Sequence, residues 1–154
     1  MMLVAHVAVG AAVGTATGNP VLGFAAGLTS HFLCDMLPHF DAGSFMDPGD
    51  EHYGVREYIW AVGDILASAG LLFILAKHSP DPVTLLASGI AAALPDIVFN
   101  TPFWSDWTRS IPGLKWVHSK IHDGMHWTAP VPDWLAGTLT QVIVIGGALW
   151  FLGF

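Results

Sequence analysis

The chain has 154 residues, of which 53% are hydrophobic and only 11% are charged, and its formal net charge is −7. A soluble domain of this size carries about 25% charged residues, so the composition favours a membrane protein with a single domain over residues 1–154. Five basic residues in all exclude a basic surface for nucleic acid. The one cysteine, Cys34, excludes an internal disulfide and a CxxC site, so any metal must be held by imidazole and carboxylate groups.

Apolar runs predict two helices in the first part of the chain, at about residues 2–17 and 20–37. The triplet Gly18-Asn19-Pro20 between them is typical of a tight turn. Both runs contain pairs of glycines at the GxxxG spacing, Gly10 with Gly14 and Gly23 with Gly27. That spacing lets membrane helices approach closely, either within one chain or between chains, so an oligomer is one alternative.

Three further apolar segments follow a polar loop at residues 38–55, and they predict helices at about 57–77, 83–98 and 134–154. The last segment has no charged residue and is long enough to cross a hydrocarbon core of about 30 Å. We also expect a loop at about 99–112 and a short amphipathic, histidine-bearing helix at 113–127. The sequence therefore predicts an all-α integral membrane protein with about five short transmembrane helices plus this short helix.

The basic residues predict how the chain lies in the bilayer. With five spans, the N-terminus and the loops 38–57 and 99–127 are on the same side. That side carries Arg56, Arg109, Lys115 and Lys120, whereas the opposite side carries only Lys77. The positive-inside rule makes the first side cytoplasmic, and we expect the cytoplasmic membrane of a prokaryote.

The same topology places most of the ionisable side chains at the cytoplasmic ends of the helices. Ionisable groups inside a membrane are costly and indicate a functional site. Two triplets of residues have the i, i+4, i+8 spacing, at which neighbours on a helix can bind one ion together. The predicted metal ligands are these two triplets with three further residues: His31, Asp35 and His39; His118, His122 and His126; His6, Asp41 and Asp96.

Imidazole and carboxylate ligands suit Zn²⁺ first, with Mn²⁺ or Fe²⁺ as alternatives, and the set is large enough for one or two ions. The ligands expected first are His6, Asp41, Asp96, His122 and His126. The others would bind a second ion or orient the imidazoles. Asp64, a carboxylate within the third helix, is the candidate general base.

Each candidate also has a simpler interpretation. His6 can be a packing or hydrogen-bonding residue of an apolar helix. Asp35 and Asp96 can be ordinary helix-end residues, although a carboxylate at a helix C-terminus opposes the macrodipole and so favours a cationic partner. The triplet that begins at His118 can be a solvated helix face.

Three short motifs occur along the chain: His6 near its start, Leu37-Pro38-His39-Phe40-Asp41 after an apolar helix, and His122-Asp123-Gly124-Met125-His126. Together they resemble the small membrane-bound metal-dependent hydrolases, the LexA-regulated inner-membrane hydrolase family and its relatives. That family has Leu-Pro-Asp-x-Asp as its second element and a His-x-Gly-x-x-His-like third element. Here His39 replaces the first aspartate, and the last histidine comes one residue early, with Asp123 where a basic residue is usual. Leu94-Pro95-Asp96-Ile97-Val98 is an alternative match to the second element.

The resemblance implies a metal-dependent hydrolase that acts on a phosphoester or a lipid at the cytoplasmic membrane face. The bilayer would then be its main partner, with no nucleic acid involved. One alternative is a membrane protein without enzymatic activity that binds metal, haem or protons. Another is a structural membrane subunit whose polar cluster locks its helices together by hydrogen bonds.

Overall fold

The structure is a computed structural model that describes residues 1–45, 54–100, 105–113, 116, 120 and 133–154. Within these residues the regular elements are all helical, which confirms the all-α prediction. The helices are α1 (Leu3–Thr15), α2 (Pro20–Asp35), α3 (Val55–His78), α4 (Pro82–Asn100), α5 (Ser105–Ser110) and α6 (Asp133–Phe151), with a 3₁₀ turn at Ala42–Phe45.

Three of these helices are long and apolar enough to cross a membrane, judged by length and composition: α3, most of α4 (Pro82–Phe99) and most of α6 (Trp134–Phe151). About five spanning helices were predicted, so among the described residues this prediction is confirmed only in part. Helices α1 and α2 have 13 and 16 residues, which at about 1.5 Å per residue is less than a hydrocarbon core of about 30 Å.

The turn between α1 and α2 has the predicted chemistry. Gly18 adopts a positive φ of 59°, a conformation that costs glycine little. The side chain of Asn19 accepts hydrogen bonds from the backbone N–H groups of Val21 (2.9 Å) and Leu22 (3.1 Å), and Pro20 occupies the first turn of α2. These are strong signals for the start of a helix.

Helix α1 lies at the centre of the molecule, in contact with α2, α3, α4 and α6. Most of its residues are buried, whereas α3 and α6 turn large apolar side chains outward. Ile59 and Leu66 on α3 and Ile143 on α6 are 67%, 67% and 69% exposed. Polar groups inside and apolar groups outside are the arrangement that a lipid environment requires.

The glycines of α1 and α2 bring both helices close to α4. A Cβ atom added to Gly27 would overlap the backbone carbonyl of Ser88, and one added to Gly14 would overlap the Ser88 side chain. At Gly10 it would lie 2.5 Å from the Cβ of Ala92. These glycines therefore serve packing within the chain, which is one of the two alternatives that the GxxxG spacing left open.

Two differences from the predicted elements concern the segment after α4. Residues 105–110 form α5, in the stretch predicted as a loop, and the hydroxyl of Thr108 donates a 2.9 Å hydrogen bond to the carbonyl of Val98 in α4. The predicted histidine-bearing helix at 113–127 lies outside the described residues, apart from positions 113, 116 and 120.

Candidate metal centre

Asp35, in the last turn of α2, is the centre of a buried group of polar atoms. Its side chain is 2% exposed. Oδ1 lies 2.7 Å from the amino nitrogen of Met1 and 3.1 Å from Nε2 of His6, while Oδ2 lies 3.2 Å from Nε2 of His31. Nε2 of His39 is 3.8 Å from Oδ1. One carboxylate therefore faces nitrogen atoms from several parts of the chain.

His6 is fully buried in α1, and neither of its ring nitrogens has a hydrogen-bond partner among the described residues. Its Nε2 lies 3.1 Å from Oδ1 of Asp35, a contact that is an ion pair only when the ring is protonated. The ring stacks on that of His31, with a centroid distance of 4.1 Å and an angle of 26° between the planes. Because buried polar atoms nearly always have a partner, the buried imidazole of His6 is a candidate metal ligand.

The protonation of His31 is decided by its contact with α4. Nδ1 of His31 lies 2.8 Å from the backbone carbonyl of Ala92. A carbonyl only accepts hydrogen bonds, so Nδ1 carries the proton. In the neutral ring, Nε2 then presents a lone pair to Asp35 Oδ2 at 3.2 Å. Two acceptors in contact are unfavourable unless a proton or a metal ion lies between them.

Three potential ligands come from three different helices. His6 of α1, His31 of α2 and Asp96 of α4 each offer one ligand atom, and these atoms all lie within 4.8 Å of one another. Nε2 of His6 is 3.7 Å from Oδ2 of Asp96, whose side chain is 17% exposed. Two imidazoles and a carboxylate are donors that Zn²⁺, Fe²⁺ and Mn²⁺ accept. The described residues therefore fit a divalent metal ion.

The local structure explains how these side chains meet. His31 and Asp35 are one helical turn apart on α2, and the contact between Gly27 and α4 holds that face of α2 close to Ala92. Pro95 lies inside α4, one residue before Asp96. Proline cannot donate to the helix ladder, so it loosens the backbone of this turn. Ala92, whose carbonyl is bound by the His31 imidazole, lies in the same turn of α4.

Two predicted ligands follow α2 in the chain: His39 lies beside Asp35, whereas Asp41 lies in the 3₁₀ turn. Because α2 ends at Asp35, His39 is not on the helix, yet its imidazole is buried close to Asp35; its Nδ1 donates to the carbonyl of Leu37 at 2.7 Å. Burial lowers the pKa of His39 to about 4. Asp41 instead stabilises the 3₁₀ turn, where its carboxylate accepts from the backbone N–H (3.0 Å) and the hydroxyl (3.1 Å) of Ser44.

Four predicted ligands thus lie together at one end of the molecule (His6, His31, Asp35 and Asp96), with His39 at their edge. Of the remaining predicted ligands, Asp41 lies in the 3₁₀ turn, whereas His118, His122 and His126 lie outside the described residues and their role stays a prediction. Asp64, the predicted general base, lies on α3 near the start of α1. Its oxygens accept from the backbone N–H groups of Leu3 (2.5 Å) and Val4 (2.9 Å).

Gln141 is a residue near the site that the sequence interpretation missed. It is 4% exposed, and its Oε1 accepts a 3.0 Å hydrogen bond from the backbone N–H of Met2. The available signal was its position as the one amide side chain in the uncharged run at residues 134–154. A polar group in such a run usually faces the interior of a helix bundle.

In the part of the chain that the structure describes, fold and site together define a helical protein with three helices able to cross a membrane and a buried cluster of histidine and aspartate side chains. Comparison with protein-family models, curated proteins and solved structures gives no match.

Proposed function

We propose that this chain is a metal-dependent hydrolase of the prokaryotic cytoplasmic membrane, with five helices at membrane depth and a divalent ion held by His6, His31 and Asp96. One observation carries the proposal. Three ligand atoms from three helices lie within 4.8 Å of one another, and two of them belong to buried histidines with unpaired nitrogens among the described residues. Zn²⁺ is the first choice, with Mn²⁺ or Fe²⁺ as alternatives.

The proposal extends to a second ion if the histidine triplet that begins at His118 also binds metal. A second ion would need His118, His122 and His126, together with residues near Asp35. Paired ions about 3.5–4 Å apart are common in phosphoester hydrolysis. The proposed hydrolase needs only the ion held by His6, His31 and Asp96.

A divalent ion at this position would supply Lewis-acid chemistry and activate water for attack on an ester. The residues of the chain prepare the site for it. The Ala92 carbonyl holds His31 in the tautomer that leaves Nε2 available, and such a bond also raises the basicity of a ligand. The carboxylate of Asp35 lies beside both imidazoles, and its negative charge would stabilise a cation there. Asp96 is the most exposed of the clustered side chains, so the substrate would approach beside it.

The position of the cluster among membrane helices favours a lipid substrate over a freely soluble phosphoester. Asp64 and Gln141 are both on helices able to cross a membrane, and both contact the first residues of α1. His6 lies one turn further along α1. A substrate that is itself anchored in the bilayer would present its ester group at the depth of such a site.

Metal analysis of the detergent-purified protein tests the proposal. We expect about one or two Zn, Mn or Fe ions per wild-type chain, lost in a His6→Ala/His31→Ala double variant. His78→Ala is the matched control, because His78 is an exposed histidine at the far end of α3, and it should retain the metal. Hydrolysis of phosphoester and lipid substrates should disappear with a chelator and return with metal. A folded wild type without metal would end the hydrolase proposal.

A proton-handling membrane protein is the second candidate, favoured by the contact between His31 Nε2 and Asp35 Oδ2 at 3.2 Å. A proton between these atoms would satisfy both of them, and chains of Asp and His side chains carry protons in membrane pumps. This candidate predicts a folded protein without metal. Haem is not part of either proposal, because the stacking of His6 on His31 leaves no gap for a porphyrin between the two rings.

A further inference from the structure

The first backbone N–H groups of α1 are satisfied by side chains from two other helices. The N–H of Met2 donates to Oε1 of Gln141 on α6 at 3.0 Å. The N–H groups of Leu3 and Val4 donate to Oδ2 and Oδ1 of Asp64 on α3, at 2.5 and 2.9 Å. The N-cap residue, Met2, provides no side-chain hydrogen bond of its own. The first turn of a helix needs such partners, and here α3 and α6 provide them.

Charge and burial agree with a capping role for Asp64. A carboxylate at a helix N-terminus interacts favourably with the helix dipole. Both oxygens of Asp64 are engaged by α1, so this carboxylate has a structural reason to lie within a membrane helix. The same two contacts leave it poorly suited to accept a proton from water as a general base.

We propose that Asp64 and Gln141 are positioning residues, which set the position of α1 along its axis and thereby place His6 among the ligand atoms. This inference rests on the proposed metal site. Helix α1 has 13 residues and no side-chain cap of its own. Gly10 and Gly14 fix its later turns against α4, whereas Asp64 and Gln141 hold its first turn. A shift of one residue would move His6 by about 1.5 Å and turn it by about 100°. Either change would take its imidazole out of the cluster.

Binding of Co²⁺ to the metal-free protein tests the inference, with affinity and the visible absorption spectrum as readouts. Asp64→Leu and Gln141→Met remove the acceptors, and we expect each to weaken Co²⁺ binding about 10- to 100-fold, as for other residues that orient metal ligands. The spectrum should change with the coordination geometry. Asp64→Asn keeps one acceptor oxygen and should give a smaller effect, so it also serves if Asp64→Leu does not fold.

Asp81→Asn is the matched control. Asp81 also caps a helix, since its Oδ1 accepts from the N–H of Thr84 at 3.1 Å, but it does so at the start of α4, whereas Asp96 is near the end of that helix. This variant should lower the melting temperature and leave Co²⁺ affinity and spectrum unchanged. If Asp64 had a purely structural role, Asp64→Asn and Asp81→Asn would have the same effects on melting temperature, Co²⁺ affinity and spectrum. That result would overturn the inference.

Wild-type affinity and spectrum in Asp64→Leu and Gln141→Met would also overturn it. Failure of the wild type to bind Co²⁺ would instead contradict the proposed function, and hydrogen exchange then tests the capping separately. The amides of Leu3 and Val4 should exchange at least about tenfold faster in Asp64→Leu than in the wild type, because they lose their acceptors. Equal protection in the two proteins would overturn the positioning role.

Discussion

The Nε2 atom of His31 faces Oδ2 of Asp35 at 3.2 Å, while Nδ1 of the same ring donates to the carbonyl of Ala92. The second contact determines the first, because it leaves Nε2 without a proton in the neutral ring. The pair is therefore incomplete without a cation or a proton, and His6 stacks directly on it. Two stacked imidazolium rings would repel each other in this buried site, which favours a shared cation over protonation of both rings.

Asp35→Asn should weaken metal binding by about 10- to 100-fold, because the substitution removes a negative charge beside the ion. Competition titration with a zinc chelator measures this change. Asp41→Asn is the control, since Asp41 bonds to Ser44 in the 3₁₀ turn, and it should bind metal as the wild type does. Equal affinities in all three proteins would contradict the role of Asp35.

Gly27→Ala should destabilise the protein by about 1–3 kcal/mol, the usual cost of overpacking. The added methyl group would overlap the Ser88 carbonyl and push α2 away from α4. His31, one turn after Gly27, would lose its bond to Ala92, so metal affinity should fall as well. Thermal unfolding in detergent measures the first effect and metal titration the second.

Gly70→Ala is the control for this substitution, because no atom of the described residues lies within 4 Å of a Cβ added at Gly70 on α3. Its stability should differ from that of the wild type by less than about 1 kcal/mol, with alanine favoured as the better helix former. Destabilisation of both variants to the same extent would show that the close approach of α2 to α4 is not the cause.

Stability should fall as the pH is lowered from about 6.5 to about 4, in part because of His39. Burial lowers the pKa of this histidine from 6.5 to about 4. The folded state therefore favours the neutral ring, and its contribution to stability is present above pH 6.5 and lost as the pH falls towards 4. The size is at most about 3 kcal/mol. His39→Gln should flatten this part of the melting-temperature profile, whereas His78→Gln should retain the wild-type profile.

Cysteine labelling checks which surfaces face lipid. In a Cys34→Ala background, Leu66→Cys in the middle of α3 should resist a water-soluble maleimide in membranes and react once the protein is denatured. Its side chain is 67% exposed, so protection would come from lipid. Lys77→Cys, about 16 Å further along the same helix, should react without denaturation. Rapid labelling of Leu66→Cys in intact membranes would contradict α3 as a spanning helix.

Simple rules predicted the elements of the structure that local sequence governs. The Gly18-Asn19-Pro20 turn formed as predicted, because Gly18 adopts a positive φ, Asn19 caps α2 and Pro20 begins it. The gathering of His6, Asp35 and Asp96 at one end was predicted from the alternation of helix directions, and the described residues show it. The end of the molecule at which a residue lies follows from the number of helices that precede it, so this prediction needs no knowledge of helix packing.

The contacts that define the site could not be predicted from residue types. The Ala92 carbonyl that orients His31 and the N–H groups of Leu3 and Val4 that occupy Asp64 are backbone atoms, and every residue type has similar ones. The bounds of α1 were predicted to within two residues, at 2–17 against Leu3–Thr15. Its enclosure by four neighbouring helices was not predicted, and because of it α1 need not match the bilayer thickness.

The central position of α1 has a consequence for how the protein is made. This helix precedes its neighbours α3, α4 and α6 in chain order, so it is synthesised before the groups that hold its first turn. Asp64 and Gln141 reach the membrane later, and the ligand from α4 arrives between them. If Asp64 and Gln141 have the proposed positioning role, the site reaches its full metal affinity only after α6 has been inserted. A chain that ends before α6 should then bind the metal more weakly.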